Sequence, residues 1–304
     1  MFKTGLAGQF TKHDIEAIVA HPGFEVTGLF VPDNISAGNK IIQRRQIPAL
    51  CSESLLKNNE ALIFSGITPW TINLLSNAIK RSKHIMLLDT SEFPSESISE
   101  IIKLTEEAQS VIQIRKIERS NPVLKACLPL VVHPSLTDIK LLVSESECRT
   151  KEAVAKNLLK ILDVIMFLNP ANVKKIHTIR QPSQPSASYL ISARIDFESG
   201  SAANLLFSNM SERKYFNAHV YHKSNQLDID IDDQKLRVIE PSGDPNKKPG
   251  KRFELKQNLS KVMNNELDSF HNSIVQQRTS SNELYHLLKI TGLGFTIFDK
   301  SGIA

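Results

Sequence analysis

The sequence predicts an α/β protein: a doubly wound, Rossmann-type parallel sheet domain followed by an α+β domain with an open, mainly antiparallel sheet. Three observations carry this. Up to about residue 120, apolar runs of roughly four to seven residues alternate with helix-like segments of roughly ten to fifteen. That is the rhythm of a parallel sheet with crossovers on both faces. Beyond it, strand candidates follow one another without helices between them, which calls for antiparallel pairing. Finally, 304 residues that are 41% hydrophobic suffice for two domains of unequal character.

The elements follow in order. "FKTGLAG" opens as a strand, "TKHDIEAIVAHPG" continues as a helix and "EVTGLFV" is the second strand. A variable stretch leads to "PALCSESLLKN", and then "ALIFSGI", "PWTINLLSNAIKRS", "HIMLLD", "SESISEIIKLTEEAQ" and "VIQIRK" again read as strand and helix in turn. After "ERSNP", "TDIKLLVSES" is a strand and "ECRTKEAVAKNLLKILDVIMFLNP" a long amphipathic helix stopped at Pro170. "VKKIHTIRQ", "SYLISARIDF", "SAANLLFSN", "KYFNAHVYH", "QLDIDID" and "KLRVIEP" are successive strands, with turn signals such as "ESGS" and "DDQ" between them. "LSKVMNNELDSFHNSIVQQ" and "SNELYHLLKITGLGFTIFDKS" close the chain as helices. The predicted domains are 1–120, dinucleotide-binding in type, and 121–304, a substrate and oligomerisation domain whose last helix is expected to pack back on the first. Ligands of such sheets bind at the carboxyl ends of the strands, so a small molecule is expected in the interdomain cleft.

Composition removes other classes. Cys51, Cys127 and Cys148 lie far apart and never in CxxC spacing, so buried apolar roles are expected of them, not disulfides or zinc. The net charge is +5, but the basic residues lack interleaved stacking aromatics, and "NKKPGKR" reads as a solvated loop, so no nucleic-acid partner is expected. No stretch nears the roughly 20 apolar residues of a membrane span. Without a basic and apolar leader, a cytoplasmic location is expected and no membrane partner. His219 and His222 have an odd separation that sends them to opposite faces of a strand, and "DIDIDD" has the period of a half-buried strand; no metal site is expected.

The segments "GLAGQFTKHDIEAIVAHPGFEVTGLFVPDN", "ALIFSGITPWTINLLSNAIKRSKHIMLLD", "EEAQSVIQIRKIERSNPVLKA" and "ELDSFHNSIVQQ" carry a likeness. Through them the chain resembles the glucose-fructose oxidoreductase and inositol dehydrogenase family, Gfo/Idh/MocA, in the order of elements over nearly its whole length. The resemblance implies NAD or NADP in the first domain and hydride transfer to or from a sugar, a cyclitol or a related hydroxyl compound. It also implies a homodimer or larger homo-oligomer through the second-domain sheet, where "SYLISARIDF" and "SAANLLFSN" suggest apolar side chains on both faces.

The motifs depart from the family. Its GxGxxG or GxGxxA turn reads Gly8, Gln9, Phe10, Thr11, Lys12, His13, with only the first glycine kept. Phe10 is expected to put a ring where the pyrophosphate would lie, while Thr11 and Asp14 form a helix-capping T-x-x-D pattern. Val31 replaces the ribose-binding acid, with Asp33 just beyond it, and Ser65, Gly66 and Thr68 fall in the family's Thr-Pro-Asn region. The Glu-Lys-Pro after the fourth strand becomes Leu88, Asp89, Thr90, so the catalytic cation becomes an acid. On the long helix Lys156, Lys160 and Asp163 fall on the family's Asp, His and Asp, and the last two share a helix face.

The resemblance thus implies a reacting end at Asp89, Lys160 and Asp163 and a cofactor at Gly8, Gln9, Phe10, Thr11, Asp33, Ser65, Gly66 and Thr68. In that register Asp89 and Lys160 exchange charges across the cleft, which favours a structural ion pair or a polar clamp over a rebuilt base. Two functions remain open: an NAD(P)-dependent oxidoreductase with atypical motifs, or a non-catalytic family member that binds a ligand or organises an assembly.

Overall fold

The computed structural model describes residues 1–31, 46–68, 71–90, 93, 95–115, 118–119, 121–179, 188–223, 225–240, 251–254, 259–278 and 281–302. The chain forms two compact units, 1–116 with 258–289 and 117–257 with 290–304.

In the first unit β1 (Phe2–Ala7), β2 (Phe24–Phe30), β3 (Ala61–Phe64), β4 (His84–Leu87) and β5 (Ile112–Ile114) form a parallel sheet in the order β2-β1-β3-β4-β5. Ala49 adds a parallel bridge to Leu29, held by Leu29 N–H to Pro48 O at 2.9 Å and Leu50 N–H to Leu29 O at 2.8 Å. Among the described residues the edge beyond β2 is therefore a single rung, and strand order reverses between β1 and β3. That reversal opens the crevice where a doubly wound sheet takes its ligand. The apolar runs explain the strands: Ala61, Leu62, Ile63 and Phe64 are all fully buried, as a strand covered on both faces requires. α1 (Lys12–Ala20), α2 (Ser52–Asn58), α3 (Ile72–Lys80) and α4 (Ser95–Ala108) are the connections.

The second unit carries α5 (Pro122–Cys127), β6 (Leu136–Leu142), α6 (Lys151–Leu168) and β7 to β13 (Val173–Thr178, Leu190–Phe197, Ala202–Ser208, Tyr215–Tyr221, Gln226–Asp230, Lys235–Ile239, Lys251–Glu254). The sheet order is β13-β12-β11-β10-β6-β9-β8-β7, antiparallel except where β6 meets β9. Thr150 caps α6 by accepting from Ala153 N–H at 3.2 Å, and Val154, Leu158, Ile161, Leu162, Ile165 and Leu168 give the helix its buried face. Apolar side chains lie on both faces, Leu190 and Leu206 among them on the outer one, but that outer face is mainly polar. Ile191, Ala193, Ile195 and Phe197 of β8 are buried, whereas Ser192, Arg194 and Asp196 point the other way with Asp138, Lys140, His219 and Asp228 of neighbouring strands. Those groups pair on the face itself, His219 Nδ1 with Asp228 at 2.9 Å and Arg194 with Asp196 at 2.9 Å. Strict alternation sends every second residue outward, and here those residues are mostly polar.

α7 (Leu259–Val275) and α8 (Asn282–Ser301) follow. α7 belongs to the first unit. Met263, Leu267, Phe270 and Ile274 enter the cluster that holds Leu6, Ile15, Ile18, Phe24 and Leu29. Phe270 stacks on Phe24 with centroids 5.7 Å apart, His21 Nε2 meets Asp268 at 3.1 Å, and Gln113 donates to Glu266 O at 2.8 Å. The start of α8 joins this unit through Glu283, which accepts from Ile114 N–H at 2.7 Å. Its later turns join the second, where Lys300 donates to Ile176 O at 3.1 Å.

Cys127 and Cys148 are buried as expected, and burial pushes the Cys127 thiol up to about 12. Cys51 is exposed instead, its thiol 3.2 Å from Ser54 Oγ just before α2. Among the described residues no helix is long and apolar enough to cross a membrane.

Candidate functional site

At the carboxyl edge of the first unit's sheet, the turn after β1 is set by Gly8. Its φ is +108°, a value that side chains rarely adopt, and a Cβ there would lie 2.1 Å from Ser65 Oγ. Gly8 N–H donates to Phe30 O at 2.9 Å and Ser65 N–H to Ala7 O at 3.0 Å, so the ends of β1, β2 and β3 are tied at this point. Gly8→Ala is expected to cost about 1–3 kcal/mol from the backbone conformation alone. The urea midpoint measures it, and Ser65→Ala in the same chain should restore only the share due to the clash.

Gln9 is exposed, but Phe10 is 8% exposed and lies in the core with Leu6, Ile15, Ile18 and Phe270. The apolar ring takes the apolar side of the turn, in the cluster that the α7 side chains also enter. Thr11 caps α1 as the T-x-x-D spacing predicts, accepting from Asp14 N–H at 3.1 Å and donating to Asp14 Oδ2 at 2.7 Å.

The other oxygen of Asp14 meets a residue that sequence reasoning passed over. Arg115, at the end of β5, donates from Nη1 to Asp14 Oδ1 at 2.7 Å and from Nε to Leu88 O at 3.1 Å, while its own N–H reaches Leu87 O at 2.8 Å. Its side chain is 17% exposed and that of Asp14 10%. An acid in the first turn of α1 would repel an anionic ligand; the guanidinium neutralises it. The only sequence signal is that Arg115 is the first charge after a buried strand.

After β3, Thr68 N–H donates to the buried Thr71 Oγ1 at 2.8 Å, which shapes the start of α3; Ser65, Gly66 and Thr68 are half-buried. Asp89 follows β4, half-buried, with its Cβ 3.8 Å from where a Cβ on Gly66 would sit. Val31 is half-buried beside the core cluster, and Asp33 lies outside the described residues. The donor set along this edge, with Ser65 and Thr68 hydroxyls, the Gln9 amide and an already neutralised Asp14, suits a polar anionic dinucleotide. The Phe10 ring in the same turn is in the core.

A second cluster belongs to the second unit. On α6, Asp163 accepts from Arg119 Nε at 2.8 Å and also from Nη2, and the Arg119 guanidinium lies 5.9 Å from the centre of the Phe167 ring. One turn earlier, Lys160 Nζ stands 4.0 Å from Glu118 Oε1. Glu118 and Arg119 were not selected from the sequence. They sit in the turn between β5 and α5, where nothing in local spacing marks them. Burial raises the Glu118 carboxyl above the ordinary carboxylate range, and this outweighs the lowering by Lys160 and Lys214; Asp163 and Asp232 add to the rise.

No protein-family model matches the chain, and no curated protein matches it in sequence. Solved structures do match in fold. UDP-N-acetylglucosamine 3-dehydrogenase from Acidithiobacillus ferrooxidans aligns with a TM-score of 0.82 at 14% identity, over 98% of this chain and 97% of that one. Levoglucosan dehydrogenase in complex with NADH and levoglucosan gives 0.81 at 11% identity, over 99% and 96%. Biliverdin reductase from Synechocystis sp. PCC 6803, in complex with biliverdin and NADP+, gives 0.79 at 10% identity, over 99% of both chains. These neighbours are dehydrogenases and a reductase, and this chain shares their fold.

Proposed function

We propose that this protein is an NAD(P)-dependent oxidoreductase acting on a sugar-like or other small hydroxyl compound. The observation that carries the reading is the match of almost the whole chain to dehydrogenase and reductase structures that hold NADH or NADP+. Gly8, Gln9, Thr11, Ser65, Gly66 and Thr68 would hold the dinucleotide at the carboxyl edge of the first sheet, with Arg115 offsetting Asp14. Bound there, the nicotinamide would supply a hydride or accept one. Asp89, Lys160 and Asp163 belong to the reacting end in this reading, Asp89 as a polar group where the family keeps a lysine.

A second reading, a ligand-binding or assembly protein without hydride chemistry, is favoured by that same exchange of a lysine for Asp89. The open face of the second sheet is the surface proposed for a homo-oligomer; Leu190, Tyr215 and Tyr221 are its exposed apolar members among paired charges. A screen of aldoses, polyols, cyclitols and their oxidised forms, followed by the absorbance of reduced nicotinamide, separates the two readings. Turnover with any compound supports the first. Tight binding of a compound without turnover under either cofactor supports the second.

A further inference from the structure

We infer that Glu118 and Lys160 form the proton-handling pair of the second unit, Glu118 taking the proton of a ligand hydroxyl and Lys160 holding the oxygen left behind. This deepens the oxidoreductase reading and rests on it.

The argument begins with how the surrounding charges are spent. Groups on three segments act on Glu118: Lys160 and Asp163 on α6, Lys214 just before β10 and Asp232 just after β11. Arg119 is bound to Asp163, and Lys214 donates to Asp232 at 2.7 Å. Among the described residues, those pairs leave Glu118 and Lys160 to each other. At 4.0 Å their separation is too long for a hydrogen bond. It is the span that one hydroxyl oxygen closes with two bonds of about 2.8 Å, accepting from Lys160 and donating to Glu118.

The chemistry follows from that bridge. The O–H bond breaks, its proton passes to the Glu118 carboxylate, and the electron pair stays on oxygen as an alkoxide beside the Lys160 ammonium. No redox change occurs in this step. The Glu118 side chain is 18% exposed and that of Lys160 37%, so the carboxyl is largely shielded while the amine is partly open to solvent. A desolvated carboxyl that holds its proton above the usual range is a better base than an ordinary one. The lysine stands where the resemblance places the family's histidine, and the base is on a residue that the family pattern does not mark.

Linkage supplies a test that needs no substrate. The folded Glu118 binds its proton more tightly than the unfolded chain does. Below the ordinary carboxylate range the group therefore costs nothing, and stability falls as pH rises from that range through the raised value. Glu118→Gln should match the wild type in acid and be the more stable protein above that window.

The direct experiment is carboxyl-carbon NMR titration of the full chain labelled at glutamate. We expect one resonance that titrates above the ordinary glutamate range, is absent from Glu118→Gln, and moves higher still in Lys160→Met. A Glu118 resonance in the ordinary range, or one unmoved by Lys160→Met, overturns the pairing.

With a hydroxyl substrate, Glu118→Gln should lose on the order of 100-fold or more in kcat with little change in KM, and the acid limb of the pH profile should vanish. Full turnover in that variant overturns the catalytic assignment while leaving the oxidoreductase reading intact. If the wild type turns over nothing, the oxidoreductase reading falls and takes the catalytic assignment with it. The titration would then describe a buried carboxyl alone.

Discussion

Replacing Phe270 by alanine is expected to destabilise the first unit by about 3–5 kcal/mol. The ring is fully buried, stacks on Phe24 and sits in one cluster with Leu6, Ile15, Ile18 and Leu267. Removing it costs the transfer free energy of its apolar surface and leaves a cavity in a sheet-and-helix core that has little freedom to collapse. Urea unfolding measures the loss as a lower midpoint with an unchanged slope. The result carries structural information as well. Phe270 lies far along the chain from β1 and β2, so a loss of this size means that α7 is an integral part of the Rossmann-type unit. A change below about 1 kcal/mol, the scale of surface substitutions, would mean that α7 only rests on it.

Asp14→Asn is expected to cost about 3 kcal/mol, because it leaves the Arg115 guanidinium shielded and without its anion. Removing both charges should cost much less than removing either. In a cycle of Asp14→Asn, Arg115→Met and the double variant, a coupling energy above about 1 kcal/mol is the expected outcome. The coupling should also change little between low and moderate salt, since a shielded pair is poorly screened. Coupling near zero would reduce the contact to an incidental one, and Arg115 would lose its part in preparing the edge for an anion.

How much of this could be read from the sequence depends on the range of the interaction. The runs "ALIF" and "IML" declare themselves as buried parallel strands because both faces of each must be apolar. The Thr11 cap and the long amphipathic α6 are equally local, and their spacing shows them. Phe10 illustrates where local reading stops. Its place in the glycine motif says that a ring enters the turn, but only α7, contributed from the other end of the chain, explains why the ring turns inward. The membership of α7 had the same cause: its apolar stripe shows that it is buried, not against what. Arg115 and Asp14 are 101 residues apart, and the pairing of Glu118 with Lys160 also joins separate elements. Such contacts leave no trace in spacing, so the lysine and the aspartate of α6 were visible while their partners were not.

The most direct measurement is calorimetric titration of the purified protein with NAD, NADH, NADP and NADPH, after checking for nucleotide that co-purifies. Binding of at least one of them in the micromolar range is the expected result, and Gly8→Ala should weaken it. No heat from any of the four, in a protein shown to be folded, would contradict the oxidoreductase reading and leave the first unit as a scaffold.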